Sequence, residues 1–193
     1  MNHEGATEGE YMHELARRLW PIHRSITGEG VRETLAILGE EIPALRVHEI
    51  PTGTQVFDWV VPNEWNIRSA QLIGPDGEVV VDYFDNNLHV VGYSIPVDTT
   101  LELDELQGHL HSIPEQPTAI PFVTSYYHAN WGFCLTDEKR RELKQGLYRV
   151  VIDASLQQGH LTYADAVFPG AVSDEIFLST YICHPSMANN ELS

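Results

Sequence analysis

His184 is the residue of this chain best placed for chemistry. It follows a nearly continuous apolar run over residues 175–183, which includes Ile176, Phe177, Leu178, Ile182 and Cys183, and Pro185 comes directly after it. Such a run suits an interior strand covered on both faces. In open α/β sheets functional groups gather beyond the carboxyl ends of strands. An imidazole held there by a buried strand and stopped by proline is a metal ligand or a general base. A histidine capping a strand end with a hydrogen bond explains the same pattern, and one of 10 histidines is not a site by itself. A second place is Tyr126-Tyr127-His128 with Trp131, a cluster of rings that either forms a stacking surface for a sugar or peptide side chain or serves as core and rim of a β domain.

Other motifs are better explained without chemistry. His109 and His111 share a face only in a strand. Gly28-Glu29-Gly30 lacks the fuller glycine fingerprint and the preceding strand of a phosphate-binding turn, so it reads as a helix start. Asp98, Glu102, Asp104 and Glu105 read as a solvated face. No Gly-x-Ser-x-Gly elbow or Cys/His nucleophile pattern is present.

The elements that must position these residues follow from periodicity. Tyr11, Leu15, Leu19 and Ile22 fall at steps of four and three and predict a first helix, ended or kinked at Pro21. Thr27 is the expected N-cap of a second helix, with Val31, Leu35 and Leu38 on its apolar stripe and Gly39 and Pro43 closing it. The period then changes to two. Leu45, Val47 and Glu49, then Val56, Trp59 and Val61, read as two strands separated by Pro51-Thr52-Gly53. Strands over 67–73 and 78–83 flank Gly74-Pro75-Asp76-Gly77, a hairpin signal. Further strands are expected over 89–95, 133–135, 147–152 and 161–168, with helices over 101–110, capped by Thr99 or Thr100, and 137–144. The chain thus divides into a helical start, a β-rich middle and a buried terminal strand, with the middle inserted between end segments that belong together.

Composition bounds the partners. The chain has 193 residues, 42% of them hydrophobic, so a real core forms. Its net charge of −17 argues against DNA, RNA or an anionic membrane as principal partner. No apolar run approaches the roughly 18 residues that span a bilayer, and the start lacks the basic and apolar regions of a secretory signal. Cys134 and Cys183 match no metal or redox spacing. A cytoplasmic protein with free thiols is expected.

Several phrases together carry a family resemblance: Arg24-Ser25-Ile26-Thr27-Gly28-Glu29-Gly30-Val31-Arg32, Asn87-Leu88-His89-Val90-Val91-Gly92-Tyr93-Ser94, Thr124-Ser125-Tyr126-Tyr127, Trp131-Gly132-Phe133-Cys134, and the stretch over 161–193. The last of these resembles the zinc aminopeptidase fold, and the whole resembles bacterial aminopeptidase-like proteins of polysaccharide-biosynthesis loci, which carry a β-rich domain inserted into a peptidase-like domain. The resemblance implies an α/β fold: the N-terminal part of a zinc-aminopeptidase-like domain (1–64 and 157–193), incomplete at its C-terminus, interrupted by an inserted β-rich α+β domain (65–156).

It also implies site residues. His184 takes the place of the first metal-binding histidine, and Asn190 that of the metal-bridging aspartate. An amide oxygen is a neutral, weaker ligand than a carboxylate, and the neighbouring Glu191 offers a carboxylate instead. Ser186 stands where an aspartate usually orients the histidine. One zinc is therefore expected rather than two, held by His184, Asn190 and Glu191. Tyr126, Tyr127 and Trp131 are the candidate substrate contacts. The resembling proteins place their remaining ligands and general base beyond the length of this chain. The implied function is a zinc-dependent hydrolase of peptide or amide bonds in a small substrate, present here as a fragment and inactive as such. The alternative is a non-catalytic binding module, a degenerate peptidase scaffold whose inserted domain recognises a glycan or protein. As a product in its own right, the 193-residue chain would leave its terminal strand as an apolar sheet edge prone to association.

Overall fold

The structure is a computed structural model that describes residues 7–185. In chain order these form α1 (Glu8–Leu19), α2 (Glu29–Glu41), β1 (Arg46–Pro51), β2 (Gln55–Val56), β3 (Trp59–Val60), β4 (Glu64–Ile73), β5 (Val79–Asp82), β6 (Val97–Glu102), α3 (Leu103–Leu106), β7 (Leu110–His111), β8 (Phe133–Cys134), α4 (Asp137–Arg141), β9 (Leu147–Gln157) and β10 (His160–Asp165). The fold mixes helix and strand in two compact units: Met1–Asn63 with Gln158–Ser193, and Glu64–Gln157.

In the first unit, α1 begins with a capping box in which the Thr7 side chain accepts from the Glu10 amide and the Glu10 carboxylate accepts from the Thr7 amide. Its apolar stripe delivers Leu19, which with Ile22 and Ile37 makes a small core that Leu15, Ala16 and Leu38 flank. The expected cap of α2 is corrected. Gly28, at φ 102°, holds the N-cap position, and Thr27 is buried instead. Glycine is needed there because side chains with a Cβ rarely take that φ. Gly30 is needed for a different reason: a Cβ on it would lie 1.8 Å from the His23 carbonyl oxygen. The first turn of α2 thus packs directly on the backbone of the preceding connection.

β1 and β10 form an antiparallel ribbon from Arg46↔Asp165 to Pro51↔His160, and α2 lies against β10. The expected strand over 56–61 is a tight hairpin, β2–β3, with Phe57 at φ 52°. Thr52 fastens the two places where the chain leaves and rejoins this unit. Its amide donates to Gly159 O (2.9 Å), its hydroxyl donates to Pro62 O (3.1 Å), and that hydroxyl accepts from the Gly159 amide (3.0 Å).

The second unit is built on an antiparallel sheet of order β5–β4–β9–β6. Along β9, Tyr148, Val150, Ile152 and Ala154 are buried at every second position, the period-two pattern of a sheet with one covered face. The hairpin at 74–77 forms with Gly77 at φ 78°. Two expectations are corrected. Residues 97–102 pair with β9 as a strand, leaving only a four-residue helix, α3, at 103–106. Over 89–95 isolated bridges, Val90↔Phe133, Gly92↔Thr124 and Ser94↔Asn130, replace a continuous strand.

The largest correction concerns residues 175–183. They form no strand among the described residues, and Ile176, Phe177 and Leu178 are 91%, 89% and 88% exposed. An interior strand needs hydrogen-bonding neighbours at both edges. The described strands of this unit pair only among themselves, as β1–β10 and β2–β3, and no partner among them reaches this run.

Gly30→Ala is expected to destabilise the protein by about 3 kcal/mol or more, because backbone stands where the new methyl must go. Gly39→Ala, in α2 where a Cβ meets nothing within 4 Å, should stabilise by about 0.5–1 kcal/mol. Urea midpoints of the two variants check both; a neutral Gly30→Ala contradicts the close packing of α2.

Candidate functional site

The site begins at the connection between α1 and α2. Arg24 is 1% exposed, and Ser25 and Thr27 are buried beside it in sequence. Burying a guanidinium is costly unless its N–H groups meet acceptors. Nη1 of Arg24 donates to Leu19 O at 2.7 Å, and Nε donates to His184 O at 3.0 Å. Leu19 is the last residue of α1, and the carbonyl end of a helix carries partial negative charge that favours a cation. One planar side chain therefore ties the end of α1 to the backbone of a residue 160 positions away.

His184 itself is half-buried and lies edge-on to Tyr181, with ring centroids 6.2 Å apart and planes at 83°. Pro185 after it is buried. The buried strand expected beneath the imidazole does not form among the described residues. Ser186, Asn190 and Glu191 lie outside the described residues. Among the described residues no group of three or more His, Cys, Asp or Glu side chains comes together to hold a metal. A catalytic zinc takes about three protein ligands and an open position; no such set comes together among the described residues, so by themselves they do not fit that ion.

The aromatic candidates separate into two groups in the second unit. Tyr126 is edge-on to Tyr93 (5.1 Å, 80°), and Tyr93 stacks on Trp65 (5.7 Å, 20°). Trp65 is buried and donates from Nε1 to Ser94 O at 2.8 Å, so Tyr126 extends a core stack. Tyr127 continues it outward (6.2 Å, 77°) and is 71% exposed. Trp131 belongs elsewhere. It stacks face to face on His109 at 3.6 Å and 8°, and a hydrogen bond of 3.0 Å joins His109 Nδ1 to Trp131 O.

Several histidines are held neutral by burial. His23 is pushed down to about 4, by desolvation first and then by the Arg24 charge. Burial also lowers His89 and His111. His89 Nδ1 lies 2.7 Å from Cys134 O. Burial pushes the Cys134 thiol up to about 12, which leaves it unreactive. Sequence reasoning gave Arg24 no role at the site and weighed His109 only together with His111, not with Trp131. A signal for Arg24 existed in the two closely spaced glycines that follow it, which mark a backbone forced into tight contact.

Residues 13–193 match a family described as "Domain of unknown function (DUF4910)". The chain is 52% identical over 187 residues to a Clostridium acetobutylicum protein named "Putative polysaccharide biosynthesis protein with aminopeptidase-like domain", across 97% of this chain and 43% of that protein. It superposes with a TM-score of 0.91 and 51% identity on a crystal structure of a "putative peptidase" from Clostridium acetobutylicum, covering 95% of this chain and 43% of the other. The chain thus spans less than half the length of these relatives.

Because the native state excludes a proton from His23 and the unfolded chain accepts one below pH 6.5, the stabilisation is complete above pH 6.5 and is lost as pH falls toward 4. The loss amounts to about 3 kcal/mol for a shift of this size. Urea midpoints measured from pH 7.5 to 4.5 should fall accordingly, and His23→Gln should flatten the slope. An unchanged slope in that variant contradicts a neutral buried His23.

Proposed function

The chain belongs to the family described as "Domain of unknown function (DUF4910)", and from that premise we propose that it is part of a zinc-dependent aminopeptidase-like hydrolase acting on a peptide or amide bond of a small substrate. The observation that carries the proposal is the seating of His184. Its backbone carbonyl accepts from a buried arginine and the residue is half-buried, in a chain that has the scaffold of a peptidase-like neighbour. Residues 1–64 and 157–193 would form the peptidase-like part, and 65–156 an inserted domain. His184 would hold one zinc ion together with Asn190 and Glu191, the rest of the ligand set coming from polypeptide such as the relatives carry outside the matched span. Bound there, zinc would supply Lewis-acid polarisation of an amide carbonyl and an acidified water. On this reading the 193 residues alone would be inactive, because the rest of the ligand set would come from outside them. A cytoplasmic setting, with Cys134 and Cys183 as free thiols, suits the proposal. The net charge of −17 disfavours nucleic acid as a partner, and no helix among the described residues is long and apolar enough to cross a membrane.

A second function, a binding module on a degenerate scaffold, is favoured by the exposed ring of Tyr127 at the end of the aromatic stack and by Asn190 and Ser186 in place of carboxylates. A glycan or peptide ligand would stack on Tyr127 or on the His109–Trp131 pair.

Metal analysis of the purified full-length protein separates the two. The hydrolase is expected to carry about one zinc per chain by the single-site argument, to release an aminoacyl p-nitroanilide, and to lose both properties in His184→Ala. A metal-free protein without hydrolysis, whose Tyr127→Ala variant loses oligosaccharide or peptide binding, overturns the hydrolase in favour of the binding module.

A further inference from the structure

We propose that Arg24 is the positioning residue of the His184 site, the group that fixes the direction in which the imidazole is presented. The inference rests on His184 being the functional side chain proposed above, and it goes beyond that proposal by assigning a device to a residue in another part of the sequence.

The residues before His184 do not provide that device. Over 171–183 the described chain has no helix or strand, and its residues are exposed through Tyr181. The preceding strand, β10, ends at Asp165, so the position of His184 draws on a fixed point from elsewhere in its own unit. Arg24 supplies one. Its Nε and Nη1 donate to His184 O and Leu19 O at 3.0 and 2.7 Å. The guanidinium is planar and its N–H directions are fixed relative to one another. Two carbonyls bound to one such plane are therefore held at a set distance and angle, and the end of α1 becomes the reference for the peptide that follows the imidazole-bearing Cα.

Arg24 is itself held firmly. It is 1% exposed, and α2 closes on it so tightly that a Cβ at Gly30 would meet Arg24 Cα at 3.3 Å as well as the His23 carbonyl. The buried Pro185 removes a rotatable φ directly after the bound carbonyl. Lysine cannot replace this arrangement, because a single ammonium at the end of a flexible stem offers no fixed angle between two acceptors. Arg18, by contrast, makes a surface pair with Glu40 (2.7 and 3.0 Å) and serves as a control for loss of positive charge.

The test uses the full-length protein with histidine rings isotopically labelled, and Arg24→Lys, Arg24→Gln, Arg18→Ala and His184→Ala variants. The wild type is expected to give one sharp His184 ring resonance, assigned by its loss in His184→Ala, away from the position of a freely rotating histidine. In Arg24→Lys the resonance should broaden or move toward that position. kcat on an aminoacyl p-nitroanilide should fall at least tenfold with KM little changed, and Arg18→Ala should match the wild type in both. A wild-type His184 resonance already at the free position overturns the proposal without any variant, so a failure of Arg24→Gln to fold does not shield it. Arg24→Lys with wild-type resonance and kcat overturns it while a dead His184→Ala leaves the hydrolase proposal standing. A fully active His184→Ala sinks the hydrolase proposal, and the role of Arg24 with it.

Discussion

A guanidinium removed from water must be met by acceptors, or the structure that buries it is not stable. Arg24 imposes that constraint on the first unit. Its charge sits where the carbonyl end of α1 and the carbonyl of His184 converge. The surrounding choices follow from having it there. Gly28 at φ 102° turns the chain sharply into α2, Gly30 lets that helix approach the backbone of His23 and Arg24, and His23 is kept from protonating by its burial first and by the neighbouring cation second. The phrase from Arg24 to Gly30 is a mechanical joint as much as a helix start.

The second unit is organised differently. Its stability comes from a sheet whose longest strand, β9, buries every second side chain, with Trp65, Tyr93 and Tyr126 stacked in one continuous arrangement. Cross-strand ion pairs such as Arg149 with Asp98 (3.2 Å) are more than half exposed and contribute little compared with this burial. The aromatic series reaches solvent at Tyr127, so the same packing that makes the core leaves one ring exposed.

How much of this the sequence carries depends on where the stabilising contacts lie. The helical stripe of α1 and the 74–77 hairpin are local, set by neighbours a few residues apart, and both were legible. The start of the helix expected over 101–110 was not: the alternation of Val97, Thr99 and Leu101 with exposed positions, and pairing to β9, makes 97–102 a strand. Tertiary pairing outweighed local propensity there. The run 175–183 was misjudged for the reverse reason, since apolar character announces burial but cannot supply the neighbouring strands. At the site, the sequence singled out His184, but the buried strand expected beneath it does not form; Arg24 was given no role, because one of its carbonyl acceptors lies 160 positions away and only the glycines after it mark the tight packing. Asn190 and Glu191, named from family resemblance, lie outside the described residues.

The proposed function turns on whether His184 holds a metal ion, since among the described residues no group of three or more His, Cys, Asp or Glu side chains comes together to do so. The most direct measurement is an anomalous difference map recorded at the zinc edge from crystals of the full-length protein. A peak at about 2.0–2.1 Å from an imidazole nitrogen of His184, the usual Zn–N distance, is the expected result. A zinc-replete crystal with no peak beside that ring, or with the ion bound elsewhere, contradicts the assignment of His184 as a metal ligand.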